Sequence, residues 1–149
     1  MVMTKDVLFS LTKGGYAPQE EMLEVARKKG KLYIGIPKEM AFQENRVPLV
    51  PDAVALLVNN GHKIVVEAGA GSAAHFEDTD YSEAGAEIVY STDEVYKADI
   101  ILKIAPPTLD EIESMKAKQT LFSALQLTVQ PENFLKKLVA KKLNCVAFD

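Results

Sequence analysis

Short apolar runs alternate with amphipathic segments along most of the chain. Six runs have the length of a strand and favour β-branched or aromatic residues, which is typical of strands buried in a parallel sheet. These runs cover residues 32–36, 63–66, 87–90, 100–104, 120–125 and 144–148. The segments between them have apolar positions at helical spacing. The pattern therefore predicts strands that alternate with helices.

Start and stop signals delimit the predicted helices. They cover residues 18–29, 51–58, 78–84, 91–97 and 108–115, and a sixth helix begins at Pro131. Proline and acidic residues open several of them, and glycine or asparagine follows their ends. Two of them open on the Ser/Thr-x-x-Glu pattern of a capping box, with Ser91 and Glu94 in one and Thr108 and Glu111 in the other.

Strands that alternate with helices over short connections favour a right-handed, doubly wound α/β fold. We therefore predict a mostly parallel sheet of five to six strands, Rossmann-like or flavodoxin-like, with helices on both faces. Along the chain we predict an N-terminal arm and helix at residues 1–30, followed by the sheet domain at residues 31–149.

The loop after the first predicted strand concentrates charged side chains at one edge of the sheet. It contains Lys38, Glu39, Glu44 and Arg46. Ligands of open α/β sheets bind outside the carboxyl ends of the strands, so cations in this loop are well placed to hold an anion. The planar guanidinium of Arg46 suits a carboxylate ligand, but it suits a salt bridge to Glu39 or Glu44 equally well. Both interpretations stay open from the sequence.

A second cation, Lys103, lies in the apolar run IILKIAPP at the end of the fourth predicted strand. A buried ammonium needs a partner, so a lysine in such a run indicates a site more strongly than a lysine on a helix face. The predicted topology brings Lys103 to the same edge of the sheet as Arg46. We expect this edge to hold a small anion.

The segment GAGSAA at residues 69–74 has the spacing of the G-x-G-x-x-A dinucleotide fingerprint. That fingerprint requires a long helix to begin at the second glycine and to offer its N-terminus to a pyrophosphate. The residues that follow here, HFEDTD, are acidic and suited to a turn. We therefore predict a structural glycine loop, and the cofactor-binding residues stay unknown.

Other candidate chemistry is sparse. His62 and His75 are the only histidines and lack the spacing of metal ligands, and Cys145 is the only cysteine, so we expect neither a metal site nor an intrachain disulfide. We expect a structural role for His62, whereas His75 could approach the site from the glycine loop. Ser123 lacks the G-x-S-x-G context of a hydrolase nucleophile.

Composition and net charge limit the classes of binding partner that we expect. Apolar residues make up 48% of the 149 residues and charged residues 26%, as in an ordinary globular protein. The formal net charge of -4 argues against nucleic acid as the main partner, and we expect the lysine cluster at 136–142 on a solvated helix face. No segment has the pattern of a signal peptide or a membrane span, so we expect a cytoplasmic location without membrane insertion.

Six sequence blocks carry a resemblance to a known family. In order along the chain they are IGIPKE, ENRVPLVPDAV, GHKIVVEAGAG, DYSEAGAEIV, ADIILKIAPP and FSALQ. Over residues 31–149 the chain resembles the N-terminal domain shared by alanine dehydrogenases and the alpha subunits of nicotinamide nucleotide transhydrogenases. A more distant resemblance is to lysine-forming saccharopine dehydrogenases. The resemblance implies a substrate-side domain that faces a separate NAD-binding domain, which this chain does not contain.

The resemblance also implies roles for three residues. Arg46 matches the family's arginine that binds the substrate carboxylate, and Lys103 matches its lysine that contacts the carboxylate or the 2-oxo oxygen. Gln126 stands where alanine dehydrogenases have a histidine that acts as acid and base. Glutamine can donate a hydrogen bond but cannot exchange a proton near neutral pH. Either another group supplies that proton, or the protein is not a standard alanine dehydrogenase.

The leading hypothesis is the substrate-side domain of an NAD-dependent amino-acid oxidoreductase. The full enzyme would convert L-alanine, NAD and water into pyruvate, NADH and ammonium, with Lys103 and the Gln126 position at the reacting atoms. NAD is expected to bind mainly to the missing domain, NADP stays open, and this chain alone is expected to be inactive. We expect the full-length protein to bind a small 2-oxo acid or amino acid and to form a homo-oligomer.

Two other hypotheses stay open. The first is the N-terminal part of a transhydrogenase alpha subunit, a class that also lacks the histidine. The second is a non-enzymatic, flavodoxin-like signalling module. A phosphoacceptor module needs acidic residues at the carboxyl ends of its strands, whereas this chain has Lys38, Arg46 and Lys103 there.

Overall fold

The computed structural model describes residues 30–149, so the predicted arm and the predicted helix at 18–29 lie outside the described residues. Residues Lys31–Asp149 form one compact unit. Its elements in chain order are β1 Tyr33–Ile36, α1 Pro51–Asn59, β2 Lys63–Glu67, α2 Asp78–Glu83, β3 Glu87–Val89, α3 Thr92–Val95, β4 Ile100–Leu102, α4 Leu109–Ser114, β5 Thr120–Ser123, α5 Glu132–Ala140 and β6 Asn144–Ala147.

The six strands form one sheet with the order β3-β2-β1-β4-β5-β6. Every neighbouring pair is parallel, and Ile34 of β1 lies opposite Ile64 of β2 on one side and Ile100 of β4 on the other. This is the order of a Rossmann-like sheet, in which the chain reverses direction across the sheet between β1 and β4. The prediction of a doubly wound, parallel α/β fold is confirmed.

Helices cover both faces of the sheet because successive strand residues point to opposite sides. In β2, Ile64 and Val66 join one buried cluster and Val65 joins the other. Val54 of α1 and Tyr81 of α2 pack into the first cluster. Buried residues of α3, α4 and α5 pack into the second. The core is therefore two apolar layers, one on each face of the sheet.

Two predicted strands, 100–104 and 120–125, run two residues beyond the observed carboxyl ends of Ile100–Leu102 and Thr120–Ser123, and those predicted at 87–90 and 144–148 run one residue too far. Side-chain carboxylates hold the backbone amides just beyond the first two of these strands. The Ile104 N–H donates to Glu39 Oε1 over 2.6 Å, and the Leu125 N–H donates to Asp149 Oδ1 over 3.0 Å. These two strands thus end close to the point where backbone N–H groups bind side-chain carboxylates in place of the neighbouring strand.

Only one of the two predicted capping boxes is closed. Thr108 Oγ1 accepts the Glu111 N–H at 3.2 Å, and Glu111 Oε2 accepts the Thr108 N–H at 2.7 Å. The prediction of a box at Ser91 is wrong, because the Ser91 side chain caps no amide. The Ser91 backbone carbonyl accepts the Glu94 N–H at 3.1 Å in a tight turn, and this N–H is the donor that a capping hydroxyl would bind.

Candidate functional site

The carboxyl ends of β1 and β4 lie side by side at the point where the strand order reverses. Glu39 follows β1 by three residues, and Lys103 follows β4 directly. In open α/β sheets this crevice is where ligands bind, because the loops diverge from it and leave a gap. The side chains at this edge therefore define the candidate site.

Lys103 is almost completely buried, with 2% of its surface exposed. Its Nζ lies 3.2 Å from Glu39 Oε2 and 3.0 Å from Glu111 Oε1. The partner that a buried ammonium requires is thus a pair of carboxylates. An ammonium has three N–H donors, so one donor remains for a ligand oxygen once these two contacts are made.

Both carboxylates are fixed by a second contact to the backbone. Glu39 Oε1 accepts the Ile104 N–H at 2.6 Å, so the loop after β1 is fastened to the end of β4. Glu111 Oε2 accepts the Thr108 N–H of the capping box at 2.7 Å. Each carboxylate therefore holds Lys103 with one oxygen and the chain with the other, which orients the ammonium before any ligand arrives.

Arg46 is exposed and is held by Glu44. Its Nη2 lies 2.7 Å from Glu44 Oε2, and its Nε and backbone N–H donate to Glu44 Oε1 over 2.8 and 3.0 Å. These hydrogen bonds lower the pKa of Glu44 to about 2. They also raise the pKa of Arg46, to which the charge of Glu39 adds a smaller contribution. Of the two interpretations of Arg46, the structure shows the salt bridge, and the partner is Glu44.

Gln126 lies just beyond β5 with a positive φ of 48°. Its N–H donates to Asp149 Oδ2 over 2.6 Å, next to the Leu125 N–H on Oδ1. These two amides hold the pKa of Asp149 below its usual range. The end of β6 therefore fixes the backbone of Gln126, while its side chain is exposed and bonds to no described residue.

The glycine loop is structural, as predicted. Only a 3-10 turn at Ser72–Ala74 follows the second glycine, in place of the long helix that a pyrophosphate site needs. The Gly69 N–H, at a φ of 78°, donates to Asp78 Oδ1 over 2.7 Å. A Cβ on Gly71 would come within 2.6 Å of the Tyr81 ring. The Gly69 amide and the space beside Gly71 are thus taken up by contacts within the chain.

The sequence comparison decides the family. A family model described as "Alanine dehydrogenase/PNT, N-terminal domain" matches residues 35–149. The chain belongs to this family. The resemblance inferred from the sequence blocks is confirmed, and the signalling-module hypothesis has no support.

Individual members agree with this assignment. The chain is 40% identical over 118 residues to an alanine dehydrogenase of Staphylococcus saprophyticus, covering 79% of this chain and 32% of that protein. Among solved structures, an L-alanine dehydrogenase superposes with a TM-score of 0.73 at 36% identity, covering 76% of this chain and 31% of that one. A transhydrogenase from Sinorhizobium meliloti superposes with a TM-score of 0.70 at 28% identity, covering 76% and 34%. The chain thus spans about a third of the length of the relatives that it matches.

The remaining polar candidates of this family member have structural contacts. His62 Nδ1 accepts the Leu32 N–H at 3.2 Å, which confirms its predicted structural role. The buried Ser123 hydroxyl donates to the Ala105 carbonyl over 2.8 Å. His75 is exposed in a left-handed conformation with a φ of 63°. Within residues 30–149, no cluster of three His, Cys, Asp or Glu side chains could hold a metal ion.

The lysine cluster at 136–142 also has a structural explanation. Lys141 Nζ donates to the carbonyls of Glu113 and Met115 at the end of α4, over 2.6 and 3.1 Å. Lys136 pairs with Glu132 one turn earlier on α5. Cations at a helix C-terminus are favoured by its dipole.

Among the described helices, none has the length and apolar character needed to cross a membrane.

Sequence reasoning missed the residues that hold Lys103. The sequence predicts Glu39 only as a partner of Arg46, and Glu111 only as a capping residue. Glu39 lies 64 residues from Lys103 in the chain, so no local pattern joins them. The signal for Glu111 was present, because a capping glutamate eight residues after a buried lysine has a second oxygen to offer.

Proposed function

We propose that this chain is the substrate-side domain of an NAD-dependent oxidoreductase that interconverts a small amino acid and its 2-oxo acid. The observation that carries the proposal is the buried Lys103 ammonium, held by Glu39 and Glu111 at the switch point of the sheet. The family assignment and the alanine dehydrogenases among the relatives support it. In the full enzyme, L-alanine, NAD⁺ and water would give pyruvate, NADH, ammonium and a proton.

Arg46 and Lys103 would both bind the substrate. The exposed Arg46 guanidinium can open from Glu44 and offer its two parallel donors to a substrate carboxylate. Lys103 would direct its remaining N–H to the carboxylate or the 2-oxo oxygen. In a site that excludes water, an ammonium at the 2-oxo oxygen would favour the negative charge that develops there when ammonia attacks the neighbouring carbon.

The described residues do not fit a dinucleotide. The one glycine-rich loop with the right spacing binds its own Asp78 carboxylate and opens no helix. When bound, NAD supplies the hydride acceptor, and we infer that its site lies mainly in a second domain of the full-length enzyme. NADP stays open as an alternative. This chain alone should therefore show no alanine-dependent reduction of NAD.

Calorimetric titration of the full chain with pyruvate tests the substrate site. Arg46→Ala should weaken binding by at least about tenfold, because hydrogen bonds between charged groups contribute about 1.5–3 kcal/mol. Arg46→Lys, which keeps the charge but loses the paired donors, should lie between the two. The matched control is Lys136→Ala, since Lys136 is an exposed, paired cation on α5.

Two results would contradict the substrate site. One is the absence of pyruvate binding by the unmodified chain, and the other is equal affinity of Arg46→Ala and the control. In the full-length enzyme the same Arg46→Ala substitution should raise the KM for pyruvate strongly.

Gln126 favours a second candidate, the N-terminal part of a transhydrogenase alpha subunit. Its exposed amide cannot exchange a proton as the histidine of alanine dehydrogenases does. The transhydrogenase structure superposes with a TM-score of 0.70, close to the 0.73 of the alanine dehydrogenase, although its sequence identity is lower at 28% against 36%. Assays of the full-length protein separate the candidates, because one oxidises L-alanine with NAD and the other only exchanges hydride between nucleotides.

A homo-oligomer in the cytoplasm is proposed for the full-length protein. The single cysteine supports a reducing compartment, and the half-buried position of Cys145 raises the pKa of its thiol, so the thiol is less reactive. Light scattering of the full-length protein measures the oligomeric state, and a monomer would contradict the proposal.

A further inference from the structure

Gln126 has a backbone conformation that a residue with a Cβ rarely adopts. Its φ is 48°, in the left-handed region, where the Cβ of an L-residue crowds the following carbonyl oxygen. Glycine adopts this conformation without that crowding. Such strain persists only where surrounding contacts hold it, and it is concentrated at functional sites. The glutamine at this position therefore needs an explanation.

Hydrogen bonds fix the backbone on both sides of Gln126. The Leu125 and Gln126 N–H groups donate to Oδ1 and Oδ2 of Asp149 over 3.0 and 2.6 Å. The carbonyl oxygen of Leu125 accepts the Gln130 side-chain amide at 3.1 Å, and that of Gln126 accepts the Val129 N–H at 3.1 Å. The Leu125 side chain is buried in the core. All four backbone polar groups of these two residues are thus paired.

Asp149 makes the long-range contact among these. It follows β6 by two residues and lies 23 residues from Gln126 along the chain. Because β6 pairs with β5, its carboxylate reaches the turn from the neighbouring strand. Successive N–H groups that converge on one anion are typical of turns with a left-handed residue. Asp149 therefore stabilises the strained conformation of Gln126.

The side chain of Gln126, by contrast, is exposed and bonds to no described residue. It lies at the same edge of the sheet as Lys103. The Lys103 N–H donates to the Phe122 carbonyl over 2.9 Å, so β4 and β5 run side by side up to this lysine. The Ala124 N–H donates to the Ile104 carbonyl over 3.1 Å, and Gln126 follows two residues later. A fixed backbone thus carries a free amide beside the candidate site.

We propose that Asp149 is a positioning residue, which holds the backbone of Gln126 so that the side-chain amide of Gln126 donates to the 2-oxo oxygen of the bound substrate. The amide has two N–H donors, and it binds the oxygen without moving a proton. Fixing the backbone limits the directions in which this side chain can lie, which lowers the entropy lost when it binds. This inference rests on the proposed substrate site.

A double-mutant cycle in the full chain, with pyruvate as the probe, tests the coupling of the two residues. In calorimetry, Gln126→Ala should bind about fivefold more weakly, because one neutral hydrogen bond is lost while the Cβ and its backbone strain remain. Asp149→Ala should weaken binding by a similar factor, because the backbone of Gln126 can then relax. The double variant should bind no more weakly than Gln126→Ala, because Asp149 acts only through the glutamine.

Two further variants separate positioning from stability. Asp149→Asn should lie between Asp149→Ala and the unmodified chain, because its amide offers one acceptor oxygen in place of two. The matched control is Asp80→Ala, since Asp80 Oδ2 accepts the Glu77 N–H at 2.7 Å at the start of α2. This control should lower the Tm and leave pyruvate affinity unchanged. All titrations are made at a temperature where circular dichroism shows each variant folded. If Asp149→Ala does not fold, Asp149→Asn takes its place in the cycle.

Two outcomes overturn this inference alone, with Arg46→Ala still binding pyruvate more weakly than the unmodified chain. In the first, Gln126→Ala or the Asp149 variant binds pyruvate as tightly as Asp80→Ala. In the second, the losses of affinity multiply in the double variant, so that Asp149 acts independently of Gln126. Failure of the unmodified chain to bind pyruvate overturns the substrate site, and the role of Asp149 with it.

Discussion

Lys103 shows how a single buried charge organises its surroundings. One ammonium contacts two carboxylates that are themselves nearly buried, so the group as a whole carries excess negative charge. Removing the ammonium would leave both carboxylates unpaired, which typically costs about 3–5 kcal/mol. Substitution of Lys103 would therefore confuse loss of folding with loss of binding. Arg46 is a better probe of the site for this reason.

The Glu44–Arg46 pair makes a pH-dependent contribution to stability. The Arg46 hydrogen bonds lower the pKa of Glu44 from 4.5 to about 2 in the folded protein. The folded-state value is the lower one, so the pair stabilises the folded protein above about pH 4.5, and the contribution is lost as the pH falls through about 2. The Glu44 carboxyl carbon, followed by NMR, should titrate with a midpoint near 2.

Arg46→Ala should return that midpoint towards the ordinary value for glutamate, whereas Arg46→Lys should return it only in part. A midpoint near 4.5 in the unmodified chain would show that the pair is open in solution. Arg46 would then be free for a ligand without competition from Glu44.

At this scale the sequence identified the cations but not their partners. Lys103 was recognisable because its charge interrupts an apolar run. The structure shows that its ammonium is buried and ion-paired. The sequence offered Glu39 and Glu44 as salt-bridge partners of Arg46. The short separation of Glu44 and Arg46 along the chain did not favour a salt bridge over a bound ligand. Glu39 reaches Lys103 only through the parallel pairing of β1 and β4, which no local pattern contains.

Two segments with the same capping pattern differ in whether the box closes, which makes them a matched pair. Thr108→Ala should lower the free energy of unfolding by about 1 kcal/mol, because the Glu111 N–H loses its side-chain acceptor. Ser91→Ala should change it by only a few tenths, because the Ser91 side chain caps no amide. Urea denaturation of both variants measures the difference. Equal losses would mean that the Ser91 cap forms in solution.

Element positions were well predicted because each strand is a compact apolar run between clear breakers. The errors lie at the ends of elements, where one tertiary hydrogen bond outweighs the local pattern. Ile104 and Leu125 have strand-like side chains, but Glu39 and Asp149 take their amides. Ser91 fits the capping pattern, but the turn uses its carbonyl in place of its hydroxyl.

At the scale of the whole molecule, the alternation of strands and helices predicted the doubly wound class, but not which strands would be neighbours. The segment from β3 to β4 crosses the sheet and brings α3 against β1. Gly35 of β1 allows this approach, because a Cβ there would lie 2.7 Å from the Val95 carbonyl oxygen and 3.0 Å from Ala98 Cβ.

Gly35→Ala should therefore disturb the fold. The nearest atom is backbone, which cannot rotate away, so α3 must move off the sheet. Overpacking of this kind typically costs about 1–3 kcal/mol, and we expect a loss of about 2 kcal/mol in urea denaturation. Gly30→Ala is the matched control, because among the described residues no atom lies within 4 Å of its would-be Cβ. A variant as stable as Gly30→Ala would show that α3 does not lie against β1 in solution.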